Sequence, residues 1–376
     1  MVSGNMGYDD SYLLLGPVQA STFADSLDEA AGRWIHTALA FPEERATYPD
    51  LASRADHLAR GLIALGVEAN EKVGILLSQG VDYFAFVFAI AKIGAVSVPL
   101  NPRFKAKELR YVISHSDMTV LVASDSLLEM PDVLGVLEEA LPSLIPAEGP
   151  ELRLEEAPLL RRVVMNGKTP RDYLVKFSTL LDTADTVPDE AVLHRCASVA
   201  IRDTAIIMYT SGTTGPSKGV LMPQGHCYLF SLGTVAAMEL TEDDRYLCCM
   251  PLFHANGLFM QVYASLLAGA SCHVTKRFSV TDWLDIVRQE QITVTNALGV
   301  MPEFIFRSPE SPHDRDHQLD YVTCGTGSYF DFYKLMPTFL YPERLGAELA
   351  EVLKGAVNHA LVIAESHIRT PENAEA

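Results

Sequence analysis

Met208–Val220, MYTSGTTGPSKGV, is the stretch on which the reading of this chain turns. It follows an apolar strand at Ala205–Ile207, and from Thr210 to Val220 it holds five hydroxyl side chains, three glycines and one lysine. Glycine lets backbone N–H groups turn toward an anion with no Cβ in the way. The hydroxyls of Thr210, Ser211, Thr213 and Thr214 add donors, and Lys218 adds a point charge. Such a loop suits a polyphosphate. It is not a Walker A loop, which needs Gly, four residues, then Gly-Lys-Ser/Thr. Five positions after Gly212 stands Ser217, and Gly219 follows Lys218. Composition alone also fits a mobile surface loop, so the flanking sequence has to decide.

Outward from the loop, strand and helix patterns alternate. Leu51, Ala55, Leu58, Ala59 and Leu62 fall at helical spacing after Thr47, with Gly66 as terminator. Strands are expected at Lys72–Leu77, Ala95–Val98, Thr119–Ala123 and Leu159–Met165, and helices at Asp82–Lys92 and Ala106–Ser116. A helical stretch near Asp172–Asp182 precedes the strand at Ala205–Tyr209. Beyond the loop come helices near His226–Leu240, Asn256–Ala268 and Val280–Gln289. The strands expected there are Tyr246–Met250, Ser271–Thr275, Thr293–Ala297 and Tyr321–Cys324. Alternation of this kind predicts an α/β fold with mainly parallel sheets flanked by helices. Residues 1–22 read as a flexible lead-in, and from Ser328 the texture turns aromatic. Pro342–Ile368 then reads as one amphipathic helix with Leu345, Leu349, Val352, Leu353, Ala356 and Ala360 on its apolar stripe.

With 376 residues, 48% of them hydrophobic and 20% charged, the chain has a globular composition and can bury a large core. Its formal net charge of -19 makes nucleic acid and anionic membrane surfaces poor partners. A local nest of amides can still hold a nucleotide, because salt screens exposed charges beyond roughly 8 Å. The six cysteines form no C-x-x-C pair and read as buried thiols of a reducing compartment. The N-terminus has no signal-peptide pattern, and the most apolar run, Tyr83–Ala91, ends at Lys92, far short of the about 20 residues a membrane span needs. A cytoplasmic protein with no integral membrane segment is the expectation.

The loop string resembles the signature of the acyl-adenylate-forming superfamily, which includes the acyl-CoA synthetases and peptide-synthetase adenylation domains. Other segments resemble that family in its own order. They are Ala38–Val67, Ala89–Phe104 (AIAKIGAVSVPLNPRF), Cys248–Phe259 (CCMPLFHANGLF) and Asn296–Pro309 (NALGVMPEFIFRSP). The resemblance covers roughly residues 24–325, and its nearest flavour is the fatty-acid and carnitine-type CoA ligases. It implies an AMP-binding N-terminal domain over residues 23–325, incomplete at its end, followed by a divergent tail at 326–376.

What the resemblance implies is a two-step reaction. A carboxylic acid attacks the α-phosphate of ATP, with Mg2+, to give acyl-AMP, and CoA then displaces AMP to give a thioester. Thr210, Ser211, Gly212, Thr213, Thr214, Gly215 and Lys218 would hold the ATP phosphates. His254 would wall the acyl tunnel or gate CoA. Gly299, Val300 and Met301 would shape the acyl pocket, and Gly325 would lie beside adenine. Metal ligands are not assigned.

The pattern departs from the family downstream. The family's Tyr-Gly-x-Thr-Glu segment, its ribose-binding aspartate and its small C-terminal domain with a catalytic lysine have no counterpart here. The Thr-Glu dipeptide of this chain, Thr241–Glu242, precedes His254. The alternative to an active acid–CoA ligase is therefore a catalytically inactive remnant that keeps a nucleotide or acyl site. The helix at Pro342–Ile368 would cover exposed apolar surface within the chain or in a homodimer.

Overall fold

The computed structural model describes residues 21–210, 216–298, 300–309, 312, 314 and 316–325. Most of the expected lead-in, loop residues 211–215, Gly299 and the segment from 326 on lie outside the described residues. The first half runs α1 (Phe23–Arg33), β1 (Thr37–Ala40), β2 (Arg45–Thr47), α2 (Tyr48–Ala64), β3 (Lys72–Leu76), α3 (Val81–Lys92), β4 (Val96–Pro99), α4 (Ala106–His115) and β5 (Met118–Ser124). Next come α5 (Val133–Ala140), β6 (Arg162–Asn166), β7 (Leu174–Lys176), α6 (Phe177–Ala184), α7 (Asp189–Cys196), β8 (Thr204–Thr210) and β9 (Lys218–Pro223). The remainder is α8 (Gln224–Met238), β10 (Arg245–Cys248), a π-helical segment (Asn256–Tyr263), α9 (Ala264–Ala268), β11 (Ser271–Val274), α10 (Val280–Gln289), β12 (Val294–Leu298), α11 (Met301–Phe306) and β13 (Tyr321–Gly325).

These strands build two sheets. One has the order β7-β6-β5-β3-β4-β8-β9, parallel except for the final antiparallel pair β8–β9. The other has the order β13-β12-β10-β11-β1-β2, parallel except for β1–β2. β5 is buried along its whole length, as expected of a strand covered on both faces. One core packs α4 and α5 against one side of the seven-stranded sheet. The larger core spans α1, α2, α3, the π-helical segment and the second sheet.

α1 joins these layers. Thr22 caps it by accepting from the Asp25 N–H at 3.0 Å. Its Phe23 ring stacks on Phe88 at 4.7 Å and meets Tyr263 edge-on at 4.6 Å, so one residue touches helices belonging to both sheets. Lys92 corrects the sequence reading, which took it as the polar end of an apolar run. Its side chain is fully buried, and its ammonium bonds Asp28 of α1 at 2.6 Å and Asp56 of α2 at 2.5 Å. Burial alone would lower its pKa, but the two carboxylates outweigh that and raise it.

Three further differences have local causes. β7 and α6 replace the single helical stretch near Asp172–Asp182, because the three-residue strand is too short to show a period. The helix expected at Asn256–Ala268 opens as a π-helix, a conformation that leaves no sequence signature of its own. α1 sat unread because its apolar face is only Phe23, Ala24, Leu27 and Ala30. Cys196, Cys227, Cys248, Cys249 and Cys272 are buried free thiols, and burial raises their pKa values.

At the β1–β11 junction, buried His273 bonds Glu290 at 3.1 Å, and Arg45 clamps the same carboxylate with two 2.8 Å bonds. Burial lowers the His273 pKa, and the nearby charges of Arg45 and Arg245 add to that, against the opposing pull of Glu290. The folded state therefore binds fewer protons than the unfolded one below the ordinary histidine pKa of about 6.5. Stability is expected to fall as pH drops from about 6.5 toward 4.5, and His273→Gln should flatten that slope in urea titrations. An unchanged slope in the variant would assign the acid sensitivity to other groups.

Candidate active site

The strands on either side of the Gly/Ser/Thr loop, β8 and β9, pair antiparallel. The register pairs Tyr209 with Gly219 and Thr210 with Lys218, so Thr210 and Lys218 face each other where the loop leaves and rejoins the stem. Sequence reading placed a strand before the loop but missed the strand after it. Its signal, alternating Lys218-Gly219-Val220, was absorbed into the loop motif. Both Thr210 and Lys218 are exposed, and the Lys218 ammonium has no ion pair or hydrogen bond among the described residues. Ser211, Gly212, Thr213, Thr214 and Gly215 lie outside them. β8 runs parallel to β4, with Ile206 opposite Ser97, so Thr210 lies at the carboxyl end of the parallel part of the seven-stranded sheet.

His254 stands at the carboxyl end of the other sheet, in the turn between β10 and the π-helical segment. Chain order places β11 on one side of β10 and β12 on the other, so β10 lies where the strand order reverses. Crevices at such reversals are the usual ligand sites of open α/β sheets. The His254 N–H donates to the Pro251 carbonyl at 3.2 Å, its own carbonyl accepts from Leu258 N at 3.0 Å, and its ring lies 4.3 Å from that of Phe253. Partial burial lowers its pKa, and the positive charge of Arg103 lowers it further, so the ring is neutral at pH 7. Arg103 follows β4 of the seven-stranded sheet, so its influence on His254 joins the carboxyl ends of the two sheets. Gly257 allows the turn: a Cβ there would come 2.5 Å from the Pro251 carbonyl oxygen.

Gln79, in the loop between β3 and α3, is a residue that motif reading did not single out. Its Oε1 accepts from Leu252 N at 3.0 Å, and its Nε2 donates to the carbonyls of Thr275 at 2.9 Å and Lys276 at 3.2 Å. One amide thus ties the exits of β10 and β11 to the opposite sheet, two residues before His254. Gln79→Leu leaves one N–H and two carbonyls unpartnered and is expected to lower unfolding stability by about 1–3 kcal/mol. Hydrogen exchange at Leu252 should quicken in the same variant; full protection there would show that the amide does not hold the turn.

Of the three residues expected at the acyl pocket, Gly299 lies outside the described residues, Val300 is 61% exposed and Met301 packs into the core at 7% exposure. Gly325 ends β13 opposite Leu298. Thr241–Glu242 lies in the turn that enters β10, where Glu242 accepts from the indole N–H of Trp34 at 2.6 Å. Among the described residues no group of three or more His, Cys, Asp or Glu side chains converges as a metal site. Nor does any described helix have the length and apolarity to cross a membrane.

Two mainly parallel sheets flanked by helices define the N-terminal domain architecture of the adenylate-forming enzymes. The anthranilate CoA ligase AuaEII, solved with anthranoyl-AMP, superposes with a TM-score of 0.70 at 21% identity over 85% of this chain and 58% of that one. The chain belongs to the AMP-binding enzyme family, whose model matches residues 27–359. It is 29% identical over 290 residues to the indoleacetate–CoA ligase of Aromatoleum aromaticum, covering 77% of this chain and 52% of the relative. It is 24% identical over 281 residues to a crotonobetaine/carnitine–CoA ligase of Salmonella enteritidis, covering 73% and 49%. The chain spans about half the length of the curated relatives it matches.

Proposed function

We propose that this chain carries the ATP- and acid-binding part of an ATP-dependent acid–CoA ligase, which makes an acyl-adenylate and then a thioester with CoA. The observation that carries the reading is the hairpin. It presents Thr210 and Lys218, whose ammonium has no partner among the described residues, on either side of a seven-residue Gly/Ser/Thr loop. Lys218 and the loop hydroxyls bind the β- and γ-phosphates of ATP and neutralise the departing pyrophosphate. The incoming carboxylic acid has a pKa near 4–5 and is already ionised at pH 7, so this step needs positioning and no general base. His254, neutral at that pH, walls the acyl and CoA side without placing a second positive charge beside Arg103. ATP brings Mg2+ on its phosphates, an ion that is usually bound through one or two carboxylates plus substrate; its protein ligands stay unassigned.

A fatty-acyl or carnitine-type acid is the first substrate to try, given the crotonobetaine/carnitine–CoA ligase among the relatives. The test is carboxylate-dependent exchange of labelled pyrophosphate into ATP across a panel of such acids. Exchange that needs the acid supports the reading. No exchange with any acid, together with no measurable ATP binding, sinks it.

A further inference from the structure

The stem of the phosphate hairpin is braced from one side by a column of rings. Tyr111 and His115, on the last turn of α4, stack with centroids 4.9 Å apart. His115 meets Tyr209 edge-on at 5.8 Å, and a hydrogen bond of 2.8 Å joins His115 Nδ1 to the Tyr209 hydroxyl. The column ends on Gly219, where a Cβ would come 2.8 Å from Ile207 Cγ2 and 3.3 Å from Tyr209 Cζ. A larger residue there would have to push aside the Ile207 and Tyr209 side chains.

Strand geometry gives the column its consequence. Successive side chains in a strand point to opposite faces, and cross-strand partners share a face. Tyr209 and Gly219 therefore occupy the face turned to α4, while their neighbours Thr210 and Lys218 occupy the other. β9 is the outermost described strand of its sheet, so no further strand among the described residues steadies it. We infer that Tyr209 and His115 are positioning residues, which hold the last stem pair so that Lys218 and Thr210 meet the terminal phosphates of the nucleotide.

The inference rests on the phosphate-binding reading of the hairpin and adds to it a role for α4. Burial pushes the Tyr209 pKa up to about 12, so its hydroxyl keeps its proton at physiological pH. Neither side chain needs to touch the nucleotide, because displacing the stem by a fraction of an ångström is enough to misplace Lys218.

The test is calorimetric titration of the full chain with ATP, with inorganic pyrophosphate and with AMP. Tyr209→Phe and His115→Phe should each weaken ATP and pyrophosphate about three- to tenfold, the range for one lost hydrogen bond. AMP affinity and melting temperature should stay near wild type. The double variant should be no weaker than either single one, since both remove the same bond. His115→Asn, whose amide can take the place of Nδ1, should restore the affinity. Unchanged affinities in both single variants, or an equal loss for AMP, would overturn the inference while leaving the hairpin's role intact. A failed rescue by His115→Asn would overturn it as well. If wild type binds ATP and pyrophosphate no better than Lys218→Ala does, the phosphate reading falls first and takes this inference with it.

Discussion

Lys218→Ala should weaken ATP binding by roughly ten- to a hundredfold, the range expected for one charge-assisted hydrogen bond to a phosphate. The ammonium sits at the re-entry point of the loop, and no carboxylate among the described residues pairs with it. The side chain is exposed, and its removal should leave the melting temperature within experimental error. Affinity and stability thus separate cleanly. Lys218→Arg keeps the charge but replaces a compact point donor with a broad planar fork, and should recover only part of the affinity. Salt gives an independent check: the wild-type affinity should fall with ionic strength more steeply than that of Lys218→Ala. Equal affinity of wild type and Lys218→Ala for ATP would remove the hairpin from the site.

The largest stability effect is expected at Lys92, whose side chain is fully buried. Asp28→Asn combined with Asp56→Asn leaves a fully buried ammonium with no counter-charge, a change that costs about 3–5 kcal/mol. Urea denaturation of the double variant measures it. Lys92→Met should cost less, because the carboxylates it frees are each nearly half exposed and can take up water. The pH dependence gives the sign. In wild type the carboxylates raise the Lys92 pKa above its unfolded value, so the stability it contributes is present at neutral pH and is lost only in strong alkali. In the double variant burial is unopposed and the folded pKa falls below the unfolded value of about 10.4. That variant should gain stability as pH rises from 7 toward 10. A flat or falling profile would mean that Lys92 swings out to solvent once its partners are gone.

Much of the architecture was legible because it is written locally. β5 and α3 announce themselves by an unbroken apolar run, since each is covered on every side. The Gly/Ser/Thr loop stands out within eleven residues because anion binding by backbone amides would need glycines and hydroxyls close together in sequence. The segments around His254 and Gly299 were found by resemblance. The structure places His254 in the turn that follows β10 but puts Met301 in the core. What stayed hidden has no local period: a three-residue strand, an antiparallel return strand counted as loop, and a π-helical turn.

By itself the sequence determined the alternation of strands and helices, the glycine- and hydroxyl-rich composition of the loop after β8, and the family. Each of these follows from residues near one another along the chain, where spacing alone sets which side chains share a face. The tertiary structure decided the order of strands in the two sheets and the meeting of their carboxyl ends. It also decided that Gln79 reaches Leu252 across 173 residues and that Lys92 reaches Asp28 across 64. Contacts at such separations are fixed by how the layers pack, and no periodicity in the chain encodes them.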